Sequence, residues 1–223
     1  MKPADFQLGL LDFFAILLPG MIATWLLAQY LPSELQGAFR IEGGEKASIG
    51  PWIVFMLTSY ALGHFVFMIG SKLDTAYDRW RRSNKPLSED SLYGTASKLR
   101  DNLTPSIDGG QFSTFKWART YVGVHNPAAR VEIDRYEATS KFFRGMVVIA
   151  AALFAHFLLR ERQVSLALGA VVVGVLSFNR FCDERWKMTE QAYATAIIQH
   201  VTKGGTAAAV AEGVAAGAHS SDH

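Results

Sequence analysis

Positively charged and aromatic side chains alternate along two predicted helices in the middle of the sequence. Six of them form a candidate ligand-binding set: Lys116, Trp117, Arg119, Arg130, Arg135 and Lys141. Cationic groups hold phosphates and aromatic rings stack on bases, so this pattern predicts nucleotide binding. The same helices also carry Glu132, Asp134 and Glu137. Amphipathic helices that pack against their neighbours explain the pattern equally well, and both interpretations stay open.

A second group of residues interrupts the apolar segments, where polar groups are costly unless they are paired or hydrated. Asp12, Pro19, Gly20, His64 and His156 are therefore candidates for a gate or a pore lining. Pro19 and Gly20 should kink their helix and could form a hinge, although both residue types are ordinary in membrane helices. The two histidines are expected to form hydrogen bonds between helices rather than to relay protons.

Asp12 lies about one turn into the first apolar segment. It could pair with Lys72 or Arg144, or line a water-filled entrance. A buried carboxylate that locks helix packing or caps the start of the helix is an equal alternative.

Asp74 and Asp78 form a D-x-x-x-D pair beside a predicted span, a spacing found in metal-dependent phospholipid synthases. The Asp-Gly and Ala-Arg companions of that motif are absent, and three arginines follow, which favours charge pairing on a solvated helix. Zincin, serine-hydrolase, Walker and dinucleotide-binding motifs are absent too, and Cys182 is the single cysteine. We expect no catalytic residue, no metal site and no cofactor, with a lipid-processing enzyme as the weakest alternative.

The composition is typical of a membrane protein. Of the 223 residues, 50% are hydrophobic and 19% are charged, which is too apolar for an average soluble domain. The formal net charge is only +2, from 22 Lys and Arg against 20 Asp and Glu. That balance argues against a protein that binds duplex nucleic acid through its overall charge.

Apolar residues concentrate in four blocks, which predict an all-α integral membrane protein with four transmembrane helices. The predicted spans are about 8–31, 51–69, 142–159 and 164–178. Residues 1–71 and 142–180 should each form a transmembrane hairpin. The first block is interpreted as an uncleaved span rather than a signal peptide.

Basic residues outside the predicted spans indicate the topology. Of the 22 Lys and Arg, 18 fall in the N-terminal end, the segment 72–144 and the region from Arg180 onward. By the positive-inside rule, both termini and the middle segment of this multi-pass membrane protein should be cytoplasmic. Arg144 and Arg160, at the two ends of the third span, are expected to snorkel to the membrane surfaces.

The polar parts of the chain should be helical and partly continuous with the spans. In the segment 72–141, one helix should continue past the second span, Ser88 should cap a helix that runs to about residue 102, and another helix should cover 113–124. Pro127 should open a helix that enters the third span, and a helix over 164–203 should end at Gly204-Gly205. Residues 181–205 form the predicted cytoplasmic C-terminal helix. Residues 206–223 are predicted to be a disordered tail, with a frayed helix as the alternative.

Small residues recur at helical spacing in three of the predicted spans. The pairs are Ala151 with Ala155, Ala170 with Gly174, and Gly63 with Gly70. Such faces let helix backbones approach closely, within one chain or between subunits, and the sequence does not distinguish the two cases.

Asp12 with Leu18-Pro19-Gly20, the stretch 138–144 that enters the third span, and the four-span layout resemble a group of small bacterial membrane proteins. Some of these are effectors of anti-phage defence, the Hailong type among them. The resemblance implies a homo-oligomeric channel effector, gated by a nucleotide or short oligonucleotide that a partner nucleotidyltransferase makes and that binds the cytoplasmic helices. The alternative is a non-conducting membrane scaffold or assembly subunit that binds a cytoplasmic protein.

Overall fold

The computed structural model describes residues 3–36, 49–84, 91–105 and 113–218, and the regular elements in these segments are α-helices. In chain order they are α1 Pro3–Ala28, α2 Ser33–Gln36, α3 Ile49–Gly70, α4 Leu73–Asn84, α5 Ser91–Leu103, α6 Thr114–His125, α7 Pro127–Leu159 and α8 Val164–Ala218. The predicted all-α class is therefore confirmed for the described part of the chain.

Three helices are long and apolar enough to cross a membrane: α3, α7 and the Val164–Thr202 part of α8. They correspond to the second, third and fourth predicted spans, and they indicate a membrane-embedded protein. The described side chains of α1 form an apolar stretch over Phe13–Ala28. The side chains of residues 3–12 of α1 lie outside the described part, so the first predicted span stays a prediction.

Large apolar side chains point outward from α3 and from the first half of α8. Leu57 and Phe65 of α3 are 66% and 58% exposed, and Leu168 and Leu176 of α8 are 59% and 63% exposed. The residues of α3 include no Asp, Glu, Lys or Arg. An uncharged helix with exposed apolar side chains is typical of a surface that contacts lipid or another apolar partner.

The backbones of α1 and α3 pack against each other through glycines. A Cβ on Gly20 would collide with the carbonyl oxygen of Ser59, and a Cβ on Gly63 would collide with that of Ile16. Ser59 Oγ donates a hydrogen bond to Thr24 Oγ1 at 3.0 Å, and Thr24 Oγ1 donates to the Gly20 carbonyl at 2.9 Å. At this seam the small residues serve packing within one chain.

The helices α7 and α8 form the second hairpin predicted from the sequence. A short connection joins them, in which Arg162 has a positive φ of 54° and the Gln163 backbone N–H donates to the Phe157 carbonyl at 2.9 Å. Further along, a Cβ on Gly174 of α8 would lie 3.3 Å from Ala150 Cβ of α7. Small residues thus bring these two helices together as well.

The predicted continuous helices are present. The helix α7 has 33 residues, beginning at Pro127 as predicted, and α8 has 55 residues. At 1.5 Å per residue these lengths correspond to about 50 Å and about 80 Å. Each helix combines a polar part and an apolar part without a break.

The end of α8 differs from the sequence prediction. The helix passes through Gly204-Gly205 and continues to Ala218, whereas the sequence predicted a stop at the two glycines and a disordered tail over 206–223. Residues 206–211 include four alanines, the best helix-forming residue, which offsets the cost of two glycines. Residues 219–223 lie outside the described part.

The helix after the second span is interrupted rather than continuous. Ser71 and Lys72 form a turn, and α4 begins at Leu73. Ser71 Oγ donates a hydrogen bond to the Met68 carbonyl at 2.6 Å. Such a side chain competes with the backbone for helical hydrogen bonds, which explains a break at this serine.

The chain groups into two compact units, 1–84 with 134–186 and 85–133 with 187–223, called unit 1 and unit 2. The first unit holds α1, α3 and α4, so α4 groups with the apolar helices. The cytoplasmic position of the segment from residue 72 stays a prediction. Unit 2 contains α5 and α6, with Ala96, Val122 and Ala192 fully buried. The predicted helix over 113–124 is present as α6, and Ser113 caps it by accepting a hydrogen bond from the Lys116 backbone N–H at 3.4 Å. The predicted cap of α5, Ser88, lies outside the described residues.

Candidate functional site

The main polar site of unit 1 is a carboxylate shared by two arginines from different helices. Arg144 Nη1 of α7 lies 3.1 Å from Oδ1 and 3.3 Å from Oδ2 of Asp74. Arg185 Nη1 of α8 lies 3.0 Å from the same Oδ1. We call these three residues the Asp74 cluster. Because Asp74 is in the first turn of α4, the cluster links α4, α7 and α8 through one side chain.

Arg144 is buried more deeply than the carboxylate it binds. Its side chain is 8% exposed, against 36% for Asp74 and 30% for Arg185. A Cβ on Gly70, the last residue of α3, would lie 3.2 Å from Arg144 Cγ, so only a glycine leaves comfortable room there. The arginine therefore runs under the end of α3 to reach Asp74.

Aromatic rings cover both guanidinium groups. Arg144 Cζ lies 4.5 Å from the ring centre of Phe67, and Arg185 Cζ lies 5.1 Å from that of Tyr77 and 5.9 Å from that of Phe181. Rings attract cations through their faces, and each ring shields from water the side of the guanidinium that it covers. The Asp74 cluster is thus held in a partly dehydrated setting, where its charges interact more strongly than in water.

Tyr77 belongs to a small buried apolar cluster that adjoins the Asp74 cluster. It is 3% exposed and packs with Phe181 and the fully buried Cys182. Its hydroxyl has no hydrogen-bond partner within the described structure. Burial raises the pKa of Tyr77, an effect that the nearby Arg81 and Arg185 oppose. The phenol therefore stays neutral in the folded protein well into the alkaline range.

The Asp74 cluster revises one expectation from the sequence. Asp74 pairs with arginines of α7 and α8, whereas the sequence predicted charge pairing along its own solvated helix. Arg144 is buried against Asp74, and its snorkelling to a membrane surface stays a prediction. The side chain of Asp12, an expected partner of Arg144, lies outside the described part.

The predicted hinge at Pro19 and Gly20 lies in a tightly packed place. Pro19 is fully buried, α1 continues through it, and Gly20 is at the seam with α3. A Cβ on Gly145 of α7 would lie 3.1 Å from Pro19 Cγ, so α7 also contacts this point. In this state Pro19 and Gly20 act in helix packing.

The two histidines have different surroundings. His156 is buried, and its Nδ1 lies 3.0 Å from the Tyr30 hydroxyl just after α1, which is the contact between elements that the sequence predicted. His156 Nε2 lies 3.9 Å from Glu161 Oε1. His64 is exposed, and its ring contacts that of Tyr60 one turn earlier in α3 at 4.7 Å.

Part of the predicted nucleotide-binding set lies in unit 2, in and around α6. Trp117 is 4% exposed and stacks on Tyr121, so its ring serves the core and is not open to a base. Arg130 Nη1 donates to the Arg119 carbonyl at 3.0 Å, which joins α6 to the start of α7. Lys116 is exposed. The amphipathic-packing interpretation is thus the better one for Trp117.

The other two residues of the set lie in unit 1, on α7. Arg135 is exposed and places its Cζ 5.7 Å from the ring centre of the adjacent Tyr136. Lys141 Nζ lies 3.2 Å from Glu137 Oε1, one turn earlier. These are local contacts along one helix, of the kind that charged helix faces commonly form.

The described residues contain no group of three or more His, Cys, Asp or Glu that could hold a metal ion. Comparison with protein-family models, curated proteins and solved structures finds no match for this chain. The functional interpretation therefore rests on the geometry of the chain itself.

Sequence reasoning noticed Asp74 and Arg144 separately but missed their pairing, and it did not single out Arg185 or Tyr77. One pattern in the sequence could have indicated that the three charged residues meet. Asp74, Arg144 and Arg185 each lie within about two helical turns of the end of a predicted span, and groups at such ends meet when the spans pack side by side.

Proposed function

We propose that this protein is a four-span membrane protein that forms a homo-oligomeric channel, or a membrane-disrupting effector, in the bacterial inner membrane. The spans are α1, α3, the second half of α7 and the first half of α8. The observation that carries the proposal is the Asp74 cluster, which ties α4, α7 and α8 together near the ends of the apolar stretches. A single change there acts on three helices at once.

The proposed topology places both termini and the polar helices in the cytoplasm. The distribution of Lys and Arg supports it, because 18 of the 22 fall on that side. The 26 residues of α1 give a length of about 39 Å, enough for the bilayer core if its N-terminal residues are included.

The continuity of α7 and α8 supports a role in coupling their polar parts to their apolar parts. Residues 127–133 of α7 belong to unit 2 and the remainder of α7 to unit 1. In α8, the residues up to Trp186 belong to unit 1 and those from Lys187 onward to unit 2. A helix without a break transmits rotation or tilt along its length. The Asp74 cluster holds the resting arrangement, and a signal on the polar helices opens the pore by straining it.

The proposed signal is a nucleotide or short oligonucleotide made by a partner enzyme, as the resemblance to anti-phage effectors implies. Within unit 2, exposed Lys116 is the member of the predicted set that is proposed to contact a phosphate. With Trp117 buried, base stacking is not part of this proposal. Ion leakage through the open pore would then depolarise the infected cell.

Ion flux from liposomes tests the proposal directly. The purified chain, reconstituted with a fluorescent ion reporter, should show little basal flux and a clear rise with one member of a panel of ribo- and deoxyribonucleotides. Asp74→Asn should raise basal flux without any nucleotide, while Asp78→Asn, at an exposed position one turn away, should not. Correctly folded protein without flux in any of these conditions would contradict conduction and favour the non-conducting scaffold.

A further inference from the structure

A groove between α1 and α7 lies at the end of unit 1 where α7 meets its connection to α8. Its volume is about 660 Å³, within the range of about 300–1,000 Å³ typical of small-molecule sites. Leu26, Ala152, Ala155 and Leu159 supply apolar walls. Ala152 and Ala155 are exposed, so the groove is open along its side.

One end of this α1–α7 groove is polar. Tyr30, His156 and Arg160 all line it there. Arg160 Cζ lies 4.6 Å from the ring centre of Tyr30, which places an exposed cation at the mouth. The groove thus has an apolar body and a cationic end.

The hydrogen bond between Tyr30 and His156 uses one of the two hydrogens that these side chains carry, so one hydrogen-bond donor remains at the polar end of the groove. If the Tyr30 hydroxyl donates to Nδ1, the neutral imidazole carries its proton on Nε2. If Nδ1 donates instead, the phenolic O–H is left over. Glu161 Oε1 lies 3.9 Å from Nε2, which is too long for a hydrogen bond. With either tautomer one N–H or O–H can donate to an incoming oxygen.

We propose that the α1–α7 groove binds one glycerophospholipid of the surrounding bilayer. The acyl chain lies along the apolar walls formed by Leu26, Ala152 and Ala155. The phosphate lies at the mouth, where the guanidinium of Arg160 and the remaining donor of the Tyr30–His156 pair contact its oxygens. Charge complementarity favours this occupant, since apolar walls alone suit any hydrocarbon but a cation with a second donor suits a phosphate.

This inference depends on membrane embedding and does not depend on conduction or nucleotide gating. The groove and the Asp74 cluster share no residue. A failed flux assay therefore leaves the lipid site standing, and a failed lipid assay leaves the channel proposal standing.

Native mass spectrometry of the delipidated full-length protein in detergent tests the site, with dioleoyl phosphatidylglycerol as the probe. The wild type should retain one tightly bound lipid per chain. Arg160→Gln should weaken retention roughly tenfold, the order expected for loss of one charge-assisted hydrogen bond. Ala152→Phe should abolish it by filling the groove. Ala151→Phe is the matched control, because Ala151 is exposed too but lines a different crevice, between α7 and α8.

Two partial probes separate the contribution of the lipid's acyl chains from that of its phosphate. Dioleoylglycerol has the chains without the phosphate, and glycerol phosphate has the phosphate without the chains, so both should bind far more weakly than the whole lipid. Equal retention by the wild type, Arg160→Gln and Ala152→Phe would overturn the proposal. So would an unchanged lipid count together with a changed oligomeric state in Ala152→Phe, which would show that a second copy of the chain covers the groove. Circular dichroism of each variant checks that it is folded.

Discussion

Asp74 Oδ1 accepts hydrogen bonds from Arg144 and Arg185, two residues that are 70 and 111 positions away in the sequence. One carboxylate oxygen thus joins three helices. Removing it would leave two guanidinium groups facing each other in a partly dehydrated place, and that is an unfavourable arrangement.

Replacement of Asp74 by Asn should therefore destabilise unit 1. The loss should be about 1–2 kcal/mol, below the 3–5 kcal/mol typical of a fully buried pair, because Asp74 is 36% exposed. Thermal unfolding in detergent measures the effect. Asp78→Asn is the control, since that exposed position should change little. An unchanged melting temperature for Asp74→Asn would show that the cluster contributes nothing to stability.

Gly20→Ala should be strongly destabilising, because the new Cβ would meet the Ser59 carbonyl oxygen and Gly63 nitrogen. We expect a loss of about 3 kcal/mol or more, at the upper end of overpacking effects, since backbone atoms cannot move aside easily. Gly169→Ala offers a matched control in α8, where a Cβ would meet nothing within 4 Å. That variant should be neutral or stabilised by up to about 1 kcal/mol through helix propensity. Equal unfolding temperatures for the two variants would contradict the described seam.

Tyr77→Phe should be tolerated at neutral pH and should improve stability at high pH. Its buried hydroxyl has no partner, so its removal costs little. Burial raises the pKa of Tyr77 above its ordinary value of 10.0. Between the two values the unfolded chain has lost this proton while the folded chain keeps it, so stability falls as the pH rises. Melting temperatures of wild type and Tyr77→Phe at pH 8 and pH 11 should diverge at the higher pH; parallel curves would refute the assignment.

Arg130→Gln should weaken the junction between α6 and α7, because Arg130 Nη1 no longer donates to the Arg119 carbonyl. The expected loss is about 1–2 kcal/mol, the worth of a charge-assisted hydrogen bond. Lys116→Gln, at an exposed position, should leave the unfolding temperature unchanged. If instead Arg130→Gln were fully stable but lost nucleotide-dependent flux, Arg130 would have a role in ligand binding rather than in packing.

Local and periodic features could be predicted from the sequence. The helix near 113–124, the start of α7 at Pro127 and its continuation to Leu159 follow from residue preferences and apolar periodicity, which act over one or two turns. The short connection between α7 and α8 follows in the same way from a few polar residues between two apolar runs.

Contacts between distant helices could not be predicted. The sequence suggested Asp12 as a partner of Arg144, but the rotation of α4 about its axis decides that Asp74 faces Arg144. Trp117 shows the same limit, since an exposed and a buried tryptophan look alike in a helical pattern. Which face of a helix is covered depends on its neighbours, and one sequence does not show them.

The burial of Cys182 beneath Tyr77 and Phe181 has a practical consequence for following motion in this protein. It is the single cysteine of the chain, and it is fully buried. Thiol-reactive spin labels or fluorophores should therefore leave the native chain unmodified while reacting with a cysteine introduced at an exposed helix position. Distances between labels on α4 and α8 can then be measured in an otherwise unaltered sequence.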